Sequence, residues 1–156
     1  MSERWLQLAE HVAETLDVGP GTRVFEVDCG RGEFLFPLFQ NGYIVGGIDG
    51  DAGAIKDAIA AMPDGLFQVG MAESLDPAVP WDVVVWRYRA ENDLSAVALA
   101  KADYIRGLVA RMFAKATHAI ALLDVPEPQH QPLMHAITEA GAHAIQIEGP
   151  HLFARV

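Results

Sequence analysis

Acidic residues and glycines are concentrated between Arg23 and Glu33, and this stretch is where the chain's chemistry is expected. An apolar run typical of a β-strand leads into a tight turn that contains Gly30 and Gly32. Glycine is needed where the backbone turns sharply or lies against a ligand, because a Cβ would block the conformation or the approach. A second apolar run ends at Asp49, about twenty residues beyond the turn, where a carboxylate can accept hydrogen bonds from both hydroxyls of a ribose. The two features together indicate a binding site for an adenosine-containing ligand.

The charge of the turn discriminates between two classes of adenosine ligand. A dinucleotide would place its anionic pyrophosphate at the start of the following helix, where the carboxylates of Glu26, Asp28 and Glu33 would repel it. S-adenosylmethionine instead presents a sulfonium and an ammonium group with a single carboxylate. The dinucleotide fingerprint also lacks its third glycine, because Leu35 occupies that position. These residues predict S-adenosylmethionine as the cofactor and disfavour a nicotinamide-dependent oxidoreductase.

Four sequence motifs resemble those of the class I S-adenosylmethionine-dependent methyltransferases, in the same order and at similar spacing along essentially the whole chain. They are Glu-Val-Asp-Cys-Gly-Arg-Gly at 26–32, Gly-Gly-Ile-Asp at 46–49, Met-Ala-Glu-Ser-Leu at 71–75 and Trp-Asp-Val-Val-Val at 81–85. Two positions depart from the family pattern: Asp28 stands where the family usually has glycine, and Met71 where it usually has an aspartate near the adenine. Aspartate tolerates a positive φ better than most residues, so it can occupy such a turn.

The resemblance implies an α/β protein with the three-layer, Rossmann-like methyltransferase fold. The fold is expected to form a single domain over residues 1–156. Its seven-stranded sheet is mostly parallel, with an antiparallel last strand. Hydrophobic periodicity and turn residues give the order of the elements. The expected helices cover about 2–16, 31–40, 51–62, 93–113 and 132–140, and the expected strands 24–27, 43–48, 66–69, 82–86, 119–123, 144–147 and 152–156.

The resemblance also assigns parts of the cofactor to particular residues. The first motif is expected to hold the methionine portion through Glu26, Gly30 and Gly32. The second is expected to hold the ribose through Asp49, and the third to contact the adenine through Met71–Ala72. The complete set of expected cofactor-binding residues is Glu26, Asp28, Cys29, Gly30, Gly32, Asp49, Gly50, Met71, Ala72 and Trp86.

The segment after the fourth expected strand is the candidate acceptor site. Arg87, Tyr88 and Arg89 lie past the carboxyl end of a central strand, beside the expected position of the methyl group. Two guanidinium groups and a ring could hold an acceptor that carries a carboxylate or an aromatic ring. The alternative is that they are solvated loop residues paired with nearby acids. Tyr88 and His11 are the candidates for a general base, which direct displacement does not require; His11 is otherwise an ordinary histidine beside the apolar stripe of the first helix.

Composition excludes several classes of partner. Eleven basic against twenty-one acidic residues give a formal net charge of −10, so long-range electrostatics oppose a polyanion such as DNA or RNA. No apolar run is long enough to span a bilayer and the N-terminus lacks the layout of a secretion signal, so a cytoplasmic location is expected. Cys29 is the single cysteine and the six histidines show no metal-ligand spacing. We therefore expect no disulfide, metal, membrane or nucleic-acid partner.

The expected function is transfer of a methyl group from S-adenosylmethionine to a small-molecule acceptor by direct displacement. The chain has no evident inserted lid, so a partner protein is expected to complete the acceptor pocket unless the acceptor is presented by something larger. The long helix after Asp93 suits a homodimer surface. The departures at Asp28 and Met71 leave open an alternative, a non-catalytic binding or scaffolding protein that keeps the fold.

Overall fold

The computed structural model describes residues 2–88 and 98–156, except for the side chains of 98–102. Its strands, in chain order, are β1 Arg23–Val27, β2 Ile44–Asp49, β3 Leu66–Val69, β4 Trp81–Arg87, β5 Ala116–Leu123, β6 Ala144–Glu148 and β7 His151–Arg155. Its helices are α1 Glu3–Leu16, α2 Leu35–Gln40, α3 Ala52–Ala61, α4 Ala98–Lys115 and α5 His130–Glu139. Short 3₁₀ turns cover Ala72–Ser74 and Glu127–Gln129.

The strands of the described residues form one seven-stranded sheet in the order β3-β2-β1-β4-β5-β7-β6. The five strands from β3 to β5 are parallel, whereas β7 runs antiparallel to both of its neighbours. The predicted α/β fold with an antiparallel last strand is therefore confirmed. The strand order reverses between β1 and β4, and ligands of open parallel sheets bind at such a reversal, beyond the carboxyl ends of the strands.

The register brings three strand ends to one edge of the sheet. Val27 of β1 lies opposite Ile48 of β2 and opposite Trp86 of β4. Residues that follow these positions, including Asp49 and Arg87, consequently lie at the same edge. We call this edge, formed by the carboxyl ends of β1, β2 and β4, the carboxyl edge.

Alternation along the strands divides the core between the two faces of the sheet. Val24 and Val85 pack with α1, α2 and α3, whereas Val27 and Trp86 pack with α4 and α5. Because both faces are covered, β4 is continuously apolar over 83–86 and β5 over 119–123. Ser2 caps α1 as predicted, since its Oγ accepts a hydrogen bond from the Arg4 backbone N–H at 3.2 Å.

Two predicted boundaries were wrong. The second helix begins at Leu35 and not at Arg31, because Gly30 and Gly32 have φ of +57° and +78°, which a right-handed helix cannot include. The connection expected around Ala114–His118 does not exist as a loop, since β5 begins at Ala116 directly after α4. The predicted helix cap at Asp93 lies outside the described residues.

The turn after β1 packs directly on β2 through Gly47. A Cβ at this glycine would lie 2.7 Å from Cys29 Sγ and 2.9 Å from the Glu26 carbonyl oxygen. The Cys29 backbone N–H also donates to the Ile48 carbonyl oxygen at 3.1 Å. The buried Cys29 is thus a packing residue at the junction between the turn and β2.

We predict that Gly47→Ala destabilises the protein by about 1–3 kcal/mol, because the new Cβ overlaps Cys29 and the backbone of β1, which has little room to move. The free energy of unfolding is measured by urea titration. The control is Gly19→Ala, because no atom lies within 4 Å of a Cβ at Gly19. Equal losses of stability in the two variants would contradict the packing argument.

Candidate functional site

Left-handed residues shape the turn between β1 and α2. Asp28, Gly30 and Gly32 have φ of +56°, +57° and +78°. The Gly32 N–H donates to the Cys29 carbonyl oxygen at 2.9 Å, which closes the turn. Asp28, which stands in place of the family's glycine, accepts a hydrogen bond from Trp86 Nε1 at 3.3 Å. Asp28 adopts the positive φ that aspartate tolerates better than most residues, and a contact with β4 holds its side chain.

Asp49 joins the end of β2 to this turn. One carboxylate oxygen accepts from the Gly30 N–H at 2.8 Å, and the other accepts from the Asp51 N–H at 2.9 Å. Asp49 is only 8% exposed. These two hydrogen bonds fix the turn and the start of the segment before α3 to the end of β2. Asp51, in contrast, is the N-cap of α3 and accepts from Gly53 and Ala54.

Met71 lies over Gly50, next to Asp49. A Cβ at Gly50 would lie 2.8 Å from Met71 Sδ, so glycine leaves the space that the thioether occupies. Met71 is 59% exposed, whereas the adjoining Ala72 is buried. An exposed thioether on a flexible side chain can make an apolar contact with a ring.

Glu26 and Arg87 form a buried ion pair at the carboxyl edge. Glu26 Oε2 accepts from Arg87 Nε at 2.7 Å, and the two side chains are 0% and 13% exposed. The Arg87 Cζ also lies 4.5 Å from the centroid of the Trp5 ring in α1. Burial lowers the pKa of Arg87, but the carboxylates of Glu26, Asp124 and Glu33 outweigh it and raise the pKa overall. Arg87, which was expected to bind the methyl acceptor, is thus paired with Glu26, which was expected to bind the cofactor.

Aromatic side chains continue the site beyond β4. The rings of Trp86 and Tyr88 meet edge to face, with centroids 6.1 Å apart, and the Tyr88 N–H donates to the Leu123 carbonyl oxygen at 2.8 Å. Burial, together with the carboxylates of Asp28 and Glu73, raises the pKa of Tyr104 in α4 to about 12. Its phenol is therefore protonated at neutral pH. Arg89 lies outside the described residues.

The second catalytic candidate, His11, packs beside β7. Its ring centroid is 5.6 Å from that of His151 and 6.0 Å from that of Phe153. His151 Nδ1 accepts from the Asp124 N–H at 3.1 Å, which places the proton of the neutral ring on Nε2. Arg4 Nη2 in turn contacts Asp124 Oδ2 at 2.6 Å. His11 therefore belongs to a histidine and arginine cluster between α1 and the start of β7.

Sequence reasoning missed Trp5, Tyr104, Asp124 and His151. Trp5 is apolar and lies at helical spacing in α1, but its position at the start of that helix and its contact with Arg87 place it at the carboxyl edge. A polar residue directly after a buried strand was a usable signal for Asp124, because β5 ends at Leu123.

In residues 2–88 and 98–156 there is no group of three histidine, cysteine or acidic side chains that could hold a metal ion. The helices of the same ranges include none long and apolar enough to cross a bilayer.

Comparison with known proteins establishes the class of fold. No protein-family model matches the chain. A segment of 81 residues, 51% of the chain, is 32% identical to the 23S rRNA (uracil(1939)-C(5))-methyltransferase RlmD of Nitrosococcus oceani. This match spans only 18% of the length of that relative.

Solved methyltransferase structures superpose on almost the whole chain. The magnesium protoporphyrin IX methyltransferase from Synechocystis PCC 6803, with bound S-adenosylmethionine, gives a TM-score of 0.74 at 18% identity, over 96% of this chain and 78% of that one. The amino pentose methyltransferase from Micromonospora echinaspora, involved in calicheamicin biosynthesis, gives 0.78 at 16% identity, over 97% and 91%. The protein therefore has the class I S-adenosylmethionine-dependent methyltransferase fold, as its motifs indicated.

We predict that His151 makes the stability of the protein fall in mild acid. Burial lowers the pKa of His151 below its ordinary value of 6.5; Asp124 opposes this shift, while His11 and Arg4 add to it. The unfolded chain therefore takes up a proton near pH 6.5 that the folded protein resists, so stability is lost as the pH falls below that value.

His151→Asn tests this pH dependence, since the asparagine oxygen can replace Nδ1 as acceptor for Asp124 and does not titrate. The loss of unfolding free energy between about pH 7 and pH 5 should be smaller in this variant than in the wild type. Replacing the exposed His143 by asparagine is the control and should leave the wild-type slope unchanged. Parallel curves for the wild type and His151→Asn would contradict the assignment.

Proposed function

We propose that the protein binds S-adenosylmethionine at the carboxyl edge and transfers its methyl group to a small-molecule acceptor by direct displacement. The observation that carries this proposal is the acidic, left-handed turn at 28–32, bonded to the carboxylate of Asp49 at the end of β2. Two methyltransferases that share the fold have S-adenosylmethionine bound in their structures. None of the comparisons favours the non-catalytic alternative.

The carboxylates at the carboxyl edge are complementary in charge to a cationic nucleoside. Glu26, Asp28 and Asp49 come from the ends of two adjacent strands and from the turn that joins β1 to α2. Their negative charge attracts a sulfonium and an ammonium group and opposes a pyrophosphate. Asp49 accepts from the Gly30 N–H at 2.8 Å and would also accept from the ribose hydroxyls.

Each part of the edge has a proposed task. Glu26, with the backbone at Gly30 and Gly32, would hold the methionine portion, and Asp49 the ribose. Met71 would cover the adenine. When bound, S-adenosylmethionine supplies a methyl group that its sulfonium already activates. The remaining tasks of the protein are to align the acceptor and exclude water, and alignment can supply on the order of several kcal/mol.

The acceptor is proposed to enter at the segment that follows β4. Tyr88 lies there against Trp86, and the sequence places Arg89 next to it. Arg87 is less available for an acceptor, because it is buried against Glu26 and Trp5. A partner protein or a second copy of the chain that completes the pocket is part of this proposal.

A small acceptor in the cytoplasm is favoured over nucleic acid or a membrane surface. The relative from Nitrosococcus oceani acts on ribosomal RNA, but the match covers a small part of it. A net charge of −10 opposes the approach of a polyanion.

We predict that the wild type binds S-adenosylmethionine and that Asp49→Ala raises the dissociation constant by at least about tenfold, because it removes charge-assisted hydrogen bonds to the ribose. Isothermal titration with S-adenosylmethionine and with S-adenosylhomocysteine measures both. Asp49→Asn is the milder variant, since it keeps an acceptor for the Gly30 N–H. Asp64→Ala removes an exposed carboxylate from the turn after α3 and is the matched control.

Two outcomes would contradict the proposal. Absence of heat and of any thermal shift with either ligand would favour the non-catalytic alternative. Tighter binding of a nicotinamide dinucleotide than of S-adenosylmethionine would show that the charge argument is wrong.

A further inference from the structure

The buried ion pair of Glu26 and Arg87 lies in the proposed cofactor site, where the charge state of Glu26 determines how strongly it attracts a cation. The Glu26 side chain is fully buried, and a buried carboxylate tends to take up a proton because desolvation disfavours its charged form. A neutral Glu26 would attract the ammonium of a ligand only weakly. Arg87 places a positive charge 2.7 Å from the carboxylate, which favours the ionised form.

The start of α1 fixes the Arg87 guanidinium. Two guanidinium groups contact the Trp5 ring, since Arg87 Cζ is 4.5 Å and Arg4 Cζ is 4.8 Å from its centroid. A planar cation over an indole ring is favourable, and more so where water is excluded. Arg4 is also paired with Asp124 at 2.6 Å. The first turn of α1 is therefore tied both to the end of β4 and to the residue after β5.

The charged groups around the pair come from several elements of the described chain. Glu33 in the turn before α2 and Asp124 after β5 both interact with Arg87. Arg4 of α1 offsets Asp124. Arg87 is therefore cationic throughout the neutral pH range, because three carboxylates support its charge.

We propose that Arg87 is a positioning residue of this site, which, clamped by Trp5, keeps the buried Glu26 ionised and oriented to receive the cationic end of the cofactor. The part that concerns the cofactor rests on the proposed function. The control of Glu26 by Arg87 is a property of the chain without ligand, and it can be measured separately.

The first test is a pH titration of the Glu26 side-chain carboxyl by carbon-13 NMR, without ligand, in the wild type and in Arg87→Met. Removal of the guanidinium should raise the titration midpoint by at least about one pH unit, because it takes away a positive charge that lies 2.7 Å from the buried carboxylate. Arg87→Lys keeps the charge and should restore most of the shift. Arg23→Met removes an arginine that pairs with Asp82 at the opposite edge of the sheet and should leave the midpoint unchanged.

The second test compares dissociation constants for S-adenosylmethionine across pH, as the ratio of variant to wild type, which cancels the titration of the ligand. For Arg87→Met the ratio should reach about tenfold or more in mild acid and fall as the pH rises, because Glu26 then ionises without help. The double variant E26Q/R87M should bind weakly at every pH. A purely structural role for Arg87 would give a ratio that does not change with pH.

If Arg87→Met does not fold, Trp5→Leu is used in its place. This substitution removes the ring that holds the Arg87 guanidinium but keeps the positive charge. It should shift the Glu26 midpoint in the same direction by a smaller amount. An unchanged midpoint in the folded variants would overturn the inference. If the wild type binds no S-adenosylmethionine, the proposed function fails, while the NMR titration still decides whether Arg87 controls Glu26.

Discussion

The close packing of the glycine turn on β2 is the constraint on which the rest of the site depends. Gly47 has no Cβ, so Cys29 can lie against the strand, and the Cys29 N–H reaches the Ile48 carbonyl oxygen at 3.1 Å. The next residue along, Gly30, donates to Asp49 at 2.8 Å. Backbone bonds and one carboxylate thereby fix the turn to the end of β2. Any ligand that binds the turn consequently also meets Asp49.

Parallel strands extend this local junction into a site. Because β1, β2 and β4 run in the same direction, their last residues meet at one edge, and the register places Trp86 beside Val27. Trp86 can then hold the Asp28 side chain through Nε1. The following residue, Arg87, alternates to the opposite face of the sheet, which is the face that α1 covers. The pairing of Arg87 with Glu26 and Trp5 follows from that alternation.

Structural features could be predicted from the sequence where a local signal and the tertiary structure agree. The apolar run, the glycines and the acid at Asp49 predicted the strand, turn and strand of the junction, and the sequence showed that Asp28 could tolerate the positive φ that the turn has. It was insufficient where contacts join distant residues. Glu26 and Arg87 are 61 positions apart, and only the register of β1 on β4 shows that their side chains meet. The late start of α2 was missed because apolar spacing does not reveal the φ of a glycine.

Energetic costs concentrate at the carboxyl edge, which bears on why its charges are present. A non-glycine residue in the left-handed region, such as Asp28, costs roughly 1–2 kcal/mol. A buried ion pair such as that of Glu26 and Arg87 is often no more stable than well-packed apolar residues of similar size. The opposite edge carries an ordinary pair, Arg23 and Asp82, whose side chains are only partly buried and whose charged atoms Nη2 and Oδ1 are 3.5 Å apart.

Stability alone therefore does not account for the buried guanidinium of Arg87 and the carboxylates of Glu26, Asp28 and Asp49 at one edge of the sheet. Sites that bind ligands commonly combine strain with desolvated charge, because both prepare polar groups for a partner. The charges here would be offset when a cationic nucleoside contacts them, whereas apolar substitutes at Glu26 and Arg87 would remove one carboxylate from the groups proposed to face that ligand. On the proposed function, the ion pair would prepare this edge for its ligand, and the fold tolerates the cost of the pair.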